Sequence, residues 1–276
     1  MIAAALERAT RELADATATP RLDAEVLLAH VLGVGRGRLA ALDSQALSDE
    51  ARRAFDALIA RRIAGEPVAY LTGRREFWSL TLGVGPEVLV PRPETELLVE
   101  LGLAHLQGRR APKILDLGTG SGALGLALAA ERPDATVELV DASAAALERA
   151  ERNRAALGLG NVRLALGDWF APVAGRRYDL VVANPPYVAA DDPRLELLRH
   201  EPRLALVAGP TGLEALRHIV AGAAAHLERG GRLLLEHGLD QGPAVRALLV
   251  AAGFGAVETR LDLAGHERAT GGTRGD

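Results

Sequence analysis

The stretch Lys113-Ile-Leu-Asp116-Leu-Gly118-Thr-Gly120-Ser-Gly122 decides the fold prediction for this chain. The apolar run predicts a buried strand over Lys113–Leu117, and helix Ala123–Glu131 is predicted to follow the glycines directly. Glycine lets the backbone approach a ligand closely, and the first turn of a helix presents free N–H groups. The stretch therefore predicts a strand, a tight glycine turn and a helix that together could bind a ligand.

Strands and helices continue to alternate towards the C-terminus. Further strands are predicted at Thr136–Val140, Val162–Leu166, Asp179–Ala183, Arg232–Glu236, Ala256–Leu261 and Glu267–Gly271. Helices are predicted between them at Ala144–Leu157, Gly212–Arg229 and Pro243–Ala252. Such alternation favours an α/β fold, with a mostly parallel sheet covered by helices on both faces. The last residues, Gly271–Asp276, are expected to form a frayed tail.

The N-terminal part of the chain is predicted to be helical throughout. Amphipathic stretches predict helices over Ile2–Ala16, Leu22–Leu32 and Ser48–Ile63. Ser48 is placed to cap the third helix. The buried face of that helix is predicted to consist of Phe55, Leu58, Ile59 and Ile63. We expect a small all-helical domain that serves packing or recognition.

From Phe77 the apolar residues alternate with a period of two, which predicts β-structure. We predict a β-hairpin that turns at Gly85-Pro86 and resumes as a strand over Val88–Val90. The proline and the acidic residues of Pro91-Arg-Pro-Glu-Thr-Glu96 then favour a helix start before Leu97–Leu106. The predicted organisation is a helical substrate-recognition domain at residues 1–75, a hairpin linker at 76–90 and an α/β domain at 91–276.

Composition excludes several classes of protein. With 49% hydrophobic and 25% charged residues, the 276-residue chain is typical of a globular protein. It has no cysteine, which excludes disulfides and thiolate metal sites, and the seven histidines show no metal-ligand spacing, so no metal is expected. A net charge of −4 argues against coating nucleic acid. The absence of a long apolar run and of a basic N-terminal region predicts a cytoplasmic protein without a membrane span.

Two acidic residues after predicted strands indicate an adenosine-containing ligand. Asp141 ends the second strand, 21 residues after Gly120, where an acid usually accepts hydrogen bonds from ribose hydroxyls. Asp168 follows the third strand and suits an adenine amino group, while Trp169 beside it suits the face or edge of the base. Because the glycines also satisfy the dinucleotide fingerprint Gly-x-Gly-x-x-Gly, a nicotinamide oxidoreductase stays open at this point.

The fourth strand is followed by Asn184-Pro185-Pro186-Tyr187. Two prolines end the strand and stiffen the turn, and their missing N–H groups leave carbonyls free to accept hydrogen bonds. Asn184 offers a side-chain oxygen and Tyr187 a flat face. This set of groups fits a planar –NH2 group.

Taken together, these motifs resemble those of the release factor glutamine methyltransferases, which are class I S-adenosylmethionine-dependent methyltransferases. The resemblance extends beyond the core, to Gly65-Glu-Pro-Val-Ala-Tyr70, Val90-Pro-Arg-Pro-Glu-Thr-Glu96 and Leu235-Glu-His-Gly238. It implies a Rossmann-like methyltransferase domain that methylates the glutamine of the Gly-Gly-Gln loop in class I peptide release factors. Segment Arg194–Pro202 departs from the family because it is shorter and lacks a Gly-Asp-Val sequence.

The resemblance also implies roles for individual residues. The cofactor-binding residues would be Asp116, Gly118, Thr119, Gly120, Ser121, Gly122, Asp141, Asp168, Trp169 and Asn184. The residues that hold the substrate amide would be Asn184, Pro185, Pro186 and Tyr187, with Asn184, Pro185 and Tyr187 taking part in catalysis. His237 is expected to be structural.

Other functions fit parts of the pattern. An amino-methyltransferase that acts on DNA or RNA would use the same pocket after base flipping, but it would need a basic surface to bind the nucleic acid. A nicotinamide oxidoreductase leaves Asn184–Tyr187 unexplained. A ribosomal-protein glutamine methyltransferase would have similar motifs in the α/β domain. A cofactor-binding partner of the translation machinery without catalytic activity would be distinguished from an enzyme only by an activity assay.

Overall fold

The computed structural model describes residues 1–275. Contacts between residues divide the chain into two compact units, Met1–Arg74 and Arg75–Asp276. Asp276, which belongs to the predicted α/β domain and to the predicted tail, lies outside the described residues. None of the helices in the described part of the chain combines the length and the apolar character that a membrane crossing requires.

The first unit is helical, as predicted. Its α-helices are α1 (Ile2–Glu12), α2 (Pro20–Leu32), α3 (Asp49–Ile63) and α4 (Val68–Thr72), and a 3-10 helix spans Arg36–Leu42. Ser48 caps α3, because its side-chain oxygen accepts a hydrogen bond of 3.1 Å from the N–H of Ala51. Phe55 and Ile59 belong to the core of the unit. Ile63 is 47% exposed, which corrects the predicted apolar face, because α3 ends at this residue and the chain turns at Gly65 with φ +95°.

A β-hairpin is present, but it is formed by other residues than predicted. Its strands are β1 (Arg74–Phe77) and β2 (Leu80–Gly83), and Trp78 and Ser79 form the turn with φ +48° and +63°. Paired positive φ values match the right-handed twist of the two strands. Val88–Val90 is not a strand, because the N–H of Val88 closes a turn onto Gly85 and that of Val90 donates to the side chain of Glu201.

The second unit contains the remaining helices and strands. The helices are α5 (Glu96–His105), α6 (Ala123–Glu131), α7 (Ala144–Ala156), α8 (Arg203–Leu206), α9 (Glu214–His226) and α10 (Gly242–Ala251). The strands are β3 (Lys113–Leu117), β4 (Thr136–Asp141), β5 (Val162–Leu166), β6 (Tyr178–Ala183), β7 (Val188–Ala189), β8 (Val207–Gly209), β9 (Leu227–Glu236), β10 (Phe254–Leu261) and β11 (Glu267–Arg274).

Seven of the described strands form one sheet in the order β10-β11-β9-β6-β3-β4-β5. Strands β9, β6, β3, β4 and β5 run parallel, and β11 is antiparallel to both of its neighbours. One apolar cluster surrounds Leu126 and Leu128 of α6, and another surrounds Leu216 and Ile219 of α9. The predicted α/β architecture is confirmed. The strand order reverses at β3, the position where open α/β sheets bind ligands.

The predicted frayed tail is wrong, because β11 continues to Arg274. Gly271, Gly272 and Thr273 pair with Leu234, Leu233 and Arg232 of β9, so the segment lies inside the sheet. A Cβ atom at Gly271 would come within 2.5 Å of the Leu234 side chain. The glycines that suggested a loose end instead allow close packing in the sheet.

Candidate active site

A cavity of about 450 Å³ lies at the carboxyl ends of the central strands. This volume is in the range of small-molecule sites. The predicted site residues that line it are Asp116, Gly118, Thr119, Gly120, Ser121, Asp141, Asp168, Trp169, Asn184 and Pro186. Gly122, Pro185 and Tyr187 lie outside this lining. The structure thus brings together side chains from four successive strand ends.

The glycine loop after β3 adopts backbone conformations that require glycine. Gly118, Gly120 and Gly122 have φ values of +69°, +55° and +84°. The space beside Gly120 is open to at least 4 Å from the position of a Cβ atom, whereas a Cβ at Gly122 would come within 2.8 Å of Leu126. Gly120 therefore faces the cavity, and Gly122 packs against α6 as the residue before its first turn.

The side chain of Asp116 is hydrogen-bonded to this loop and to the helix after it. Its Oδ2 accepts hydrogen bonds from the hydroxyl of Thr119 at 2.6 Å and from the N–H of Gly125 at 3.0 Å. The residue is 1% exposed, and burial together with the nearby charge of Asp141 raises its pKa to about 6, although both hydrogen bonds lower it. Asp116 therefore connects the loop to the first turn of α6.

Asp141 ends β4 and faces the loop. Its Oδ2 accepts a hydrogen bond of 2.9 Å from the N–H of Gly120, and its Oδ1 accepts one of 2.8 Å from the N–H of Ser143. Burial raises the pKa of this carboxyl despite these hydrogen bonds. Each carboxylate oxygen can accept a second hydrogen bond, so the side chain can still bind ligand hydroxyls.

Trp169 forms another wall of the cavity after β5. Its backbone has φ +43°, and its ring lies 3.7 Å from the position of a Cβ atom at Gly118. The ring of His218, on α9, is 6.2 Å away and inclined by 36°. His218 also lines the cavity. Sequence reasoning missed His218, because nothing in the pattern of α9 distinguishes it from a surface histidine.

Asn184 belongs to a hydrogen-bonded chain of side chains that extends from the cavity lining into the interior. Its Nδ2 donates to the hydroxyl of Thr95 at 3.1 Å, and that hydroxyl donates to Oε2 of Glu236 at 2.6 Å. The hydroxyl of Tyr187 donates to Oε1 of the same carboxyl at 3.3 Å. Glu236 is 1% exposed, and burial raises its pKa to about 7.

Sequence reasoning missed Thr95 and Glu236 as site residues. Both lie within motifs that carry the family resemblance, but the resemblance implies no role for either. A signal was available for Glu236, because it is the last residue of β9, next to β6 in the sheet. Thr95 precedes α5 and lines the cavity although it is not near a strand end.

Pro202, the last residue of the short segment Arg194–Pro202, also lines the cavity, and so does Leu204 of α8. Glu201 is buried and binds Arg92 by an ion pair, and its Oε2 accepts a hydrogen bond of 3.0 Å from the N–H of Val90. The segment that lacks the family's usual sequence is therefore anchored to the chain before Thr95.

His237, which follows β9, is hydrogen-bonded within the protein interior. It is fully buried, and its ring nitrogens bind the carbonyl of Gly238 and the hydroxyl of Thr270. Burial lowers its pKa, which keeps the ring neutral. Among residues 1–275, no group of three or more acidic or histidine side chains is arranged to hold a metal ion.

Comparisons with known proteins match both units. The family model described as PrmC N-terminal domain matches residues 4–73, and the one described as Methyltransferase small domain matches residues 94–200. A release factor glutamine methyltransferase of Burkholderia pseudomallei (strain K96243) is 51% identical over 269 residues, covering 95% of this chain and 94% of the relative. That of Escherichia coli (strain K12) is 47% identical over 257 residues, covering 92% of both.

A solved methyltransferase structure is similar to this chain over most of its length. The 16S rRNA N2 G1207 methyltransferase of T. Thermophilus, in complex with AdoMet and guanosine, is 25% identical with a TM-score of 0.55, covering 73% of this chain and 49% of that one. The sheet order described above and these matches identify a class I methyltransferase fold. With close relatives matching along nearly its whole length, the chain belongs to the release factor glutamine methyltransferase family.

Proposed function

We propose that this chain transfers a methyl group from S-adenosylmethionine to the side-chain amide nitrogen of the glutamine in the Gly-Gly-Gln motif of class I peptide release factors, and so modulates translation termination. Family membership supports the reaction and the substrate. The observation that carries the proposal is the hydrogen bond from Nδ2 of Asn184 to Thr95, because it leaves the Asn184 oxygen available to an amide in the cavity.

The cavity fits the cofactor. Asp141, held by Gly120 and Ser143, would accept the ribose hydroxyls, and Asp168 and Trp169 would contact the adenine. The open space beside Gly120 would let the backbone approach the bound molecule closely. When bound, S-adenosylmethionine supplies a methyl group that is attached to a positively charged sulfur. The sulfur is a good leaving group because it becomes a neutral thioether.

The side chains around Asn184 can activate a substrate amide. An amide nitrogen is a poor nucleophile because its lone pair is delocalised into the carbonyl group. Hydrogen bonds from its two N–H groups to Oδ1 of Asn184 and to a carbonyl of the Pro185-Pro186 turn would increase the electron density on nitrogen and orient the lone pair. The methylated nitrogen is cationic and acidic, so it can release its proton to water without a strong base.

The protein substrate is favoured over a nucleic acid. A net charge of −4 provides no general attraction for phosphates, and we propose that the chain does not bind nucleic acid directly. The helical unit Met1–Arg74 is proposed to recognise the folded release factor. Because release factors act in translation, we propose a cytoplasmic location.

The direct test is incubation of the purified chain with labelled S-adenosylmethionine and a class I release factor, followed by mass spectrometry of the Gly-Gly-Gln peptide. We expect one methyl group on the glutamine side chain, and no label on a release factor in which this glutamine is alanine. A matched reaction with ribosomal RNA and ribosomal proteins tests the alternatives. Label on those substrates without label on the release factor would refute the proposal.

A further inference from the structure

Asn184, Thr95, Glu236 and Tyr187 form one continuous network that extends from the cavity into the protein interior. Asn184 and Thr95 line the cavity, whereas the Glu236 carboxyl is buried behind them. The network joins the residue before α5, the end of β9 and the turn after β6, and Thr95 and Glu236 are 141 residues apart in the chain. Such a network can control how the group at its open end is presented to a substrate.

The order of donors and acceptors in the network determines the orientation of the Asn184 amide. A threonine hydroxyl has one hydrogen, and at Thr95 this hydrogen is donated to Glu236. The Thr95 oxygen can then only accept from Asn184, so the –NH2 side of the amide must face it. The carbonyl oxygen of Asn184 is consequently presented to the cavity.

We propose that Thr95 and Glu236 are positioning residues, which hold the oxygen of Asn184 towards the amide that is to be methylated. The inference rests on the proposed function, since it concerns the acceptor group of that reaction. Neither residue needs to touch the substrate nitrogen for this role. The Tyr187 hydroxyl donates to the other oxygen of Glu236, so the carboxylate binds Tyr187 directly and Asn184 through Thr95.

Asn184 donates to Thr95, and Thr95 donates to Glu236, only while Glu236 is ionised. A protonated Glu236 would donate to Thr95, whose hydrogen would then turn to Asn184 and favour the reversed amide. The groups that face this carboxyl are Thr95 and Glu94 before α5, Tyr187 after β6 and Arg268 on β11. Burial and the charge of Glu94 raise its pKa, and Arg268 and the two hydroxyls lower it, with a result of about 7. We therefore expect kcat to fall as the pH decreases below about 7.

The test compares Thr95→Val, Thr95→Ser and Glu236→Gln in the full chain, with a release factor as substrate. Removing the hydroxyl in Thr95→Val should lower kcat at least about tenfold, less than the roughly hundredfold loss expected for a group that contacts the reacting atoms. Thr95→Ser keeps the hydroxyl and should stay within about threefold of the parent. Affinity for S-adenosylmethionine, measured by calorimetry, should change little in all three.

A pH profile separates positioning from a merely structural role. The parent and Thr95→Ser should lose kcat below about pH 7, whereas Thr95→Val and Glu236→Gln should show no such decrease, since protonation can no longer reverse the amide. Thr270→Val is the matched control, because Thr270 is also buried and hydrogen-bonded beside β9. This control should keep both kcat and the acidic decrease of the parent.

The outcomes also separate this inference from the proposed function. A parent protein that does not methylate the release factor contradicts the proposed function itself. A parent that is active, together with a Thr95→Val variant of equal kcat or an unchanged pH profile, overturns the positioning role alone. Equal losses of kcat in Thr95→Val and Thr270→Val would likewise overturn it, since the effect would then follow from altered packing.

Discussion

The backbone N–H of Gly120 donates a hydrogen bond of 2.9 Å to Oδ2 of Asp141. The bond joins the glycine loop after β3 to the end of β4, and the N–H of Ser143 holds the other oxygen of the same carboxylate. A ligand that binds Asp141 therefore meets an acceptor whose orientation is already determined. Such preorganisation reduces the entropy that is lost on binding.

Replacing Asp141 by alanine should weaken the binding of S-adenosylmethionine by about 1–3 kcal/mol, the usual cost of losing a hydrogen bond to a charged partner. The loss should come both from the ribose contacts and from the loop at Gly120, which loses its acceptor. Isothermal titration calorimetry measures it directly. Asp15→Ala, at an exposed acid in the helical unit, is the control and should bind as the parent does. Unchanged affinity in Asp141→Ala would remove this residue from the cofactor site.

Replacing Asn184 by alanine should separate chemistry from binding. The affinity for S-adenosylmethionine should stay within about 1 kcal/mol of the parent, while turnover falls about 10²-fold or more, because the acceptor of the substrate amide is lost. Asn161→Ala is a matched control, since the Asn161 amide donates to the carbonyls of Ala129 and Arg132 and is partly buried. Turnover within a few-fold of the parent in Asn184→Ala would mean that Asn184 only shapes the turn.

Much of the second unit could be predicted from local pattern. Strand Lys113–Leu117 and helix Ala123–Glu131 have the predicted bounds, because an apolar run, a glycine turn and a helix start follow one another without ambiguity. The acids that follow β4 and β5 could also be placed in one cavity, because parallel strands bring their carboxyl ends to the same edge of the sheet.

The hairpin and the network behind Asn184 could not be predicted in the same way. Trp78 and Ser79 make the turn with positive φ although neither residue is typical of it, whereas Gly85-Pro86 carries a turn signal and does not close the hairpin. Thr95 and Glu236 meet only through the folded sheet. Spacing along the chain contains no information on a contact between residues so far apart.

The stability of the helical unit should depend on Ile59 and hardly on Ile63, although both are isoleucines of α3. Ile59 is 2% exposed and Ile63 is 47% exposed. Ile59→Ala should lower the free energy of unfolding by about 2–5 kcal/mol, since it leaves a cavity in the core. Ile63→Ala should change it by no more than about 0.5 kcal/mol. Urea denaturation followed by circular dichroism measures both, and similar losses would contradict the observed burial.

The stability of the second unit should decrease as the pH rises from about 4 to about 7, in part because of Asp116. Burial raises the pKa of this carboxyl from 3.8 to about 6, so the folded state keeps a proton that the unfolded chain has already released. The ionisation of Asp116 at higher pH lowers the free energy of unfolding by up to about 3 kcal/mol. Asp116→Asn cannot ionise and should show a smaller decrease between these pH values in urea denaturation. An equal decrease in both proteins would assign the effect to other groups.

The unit Met1–Arg74 should determine recognition of the intact release factor, because a glutamine bound beside Asn184 offers few atoms for discrimination. Removing residues 1–73 should raise KM for the folded factor much more than for a short Gly-Gly-Gln peptide. The cut lies one residue before the boundary between the two compact units and keeps all of β1, and circular dichroism must first establish that the remainder is folded. The measurement compares kcat/KM of both substrates in the full and the shortened chain. Equal losses on peptide and protein would mean that the helical unit only supports the catalytic fold, because a docking surface cannot affect a substrate that does not reach it.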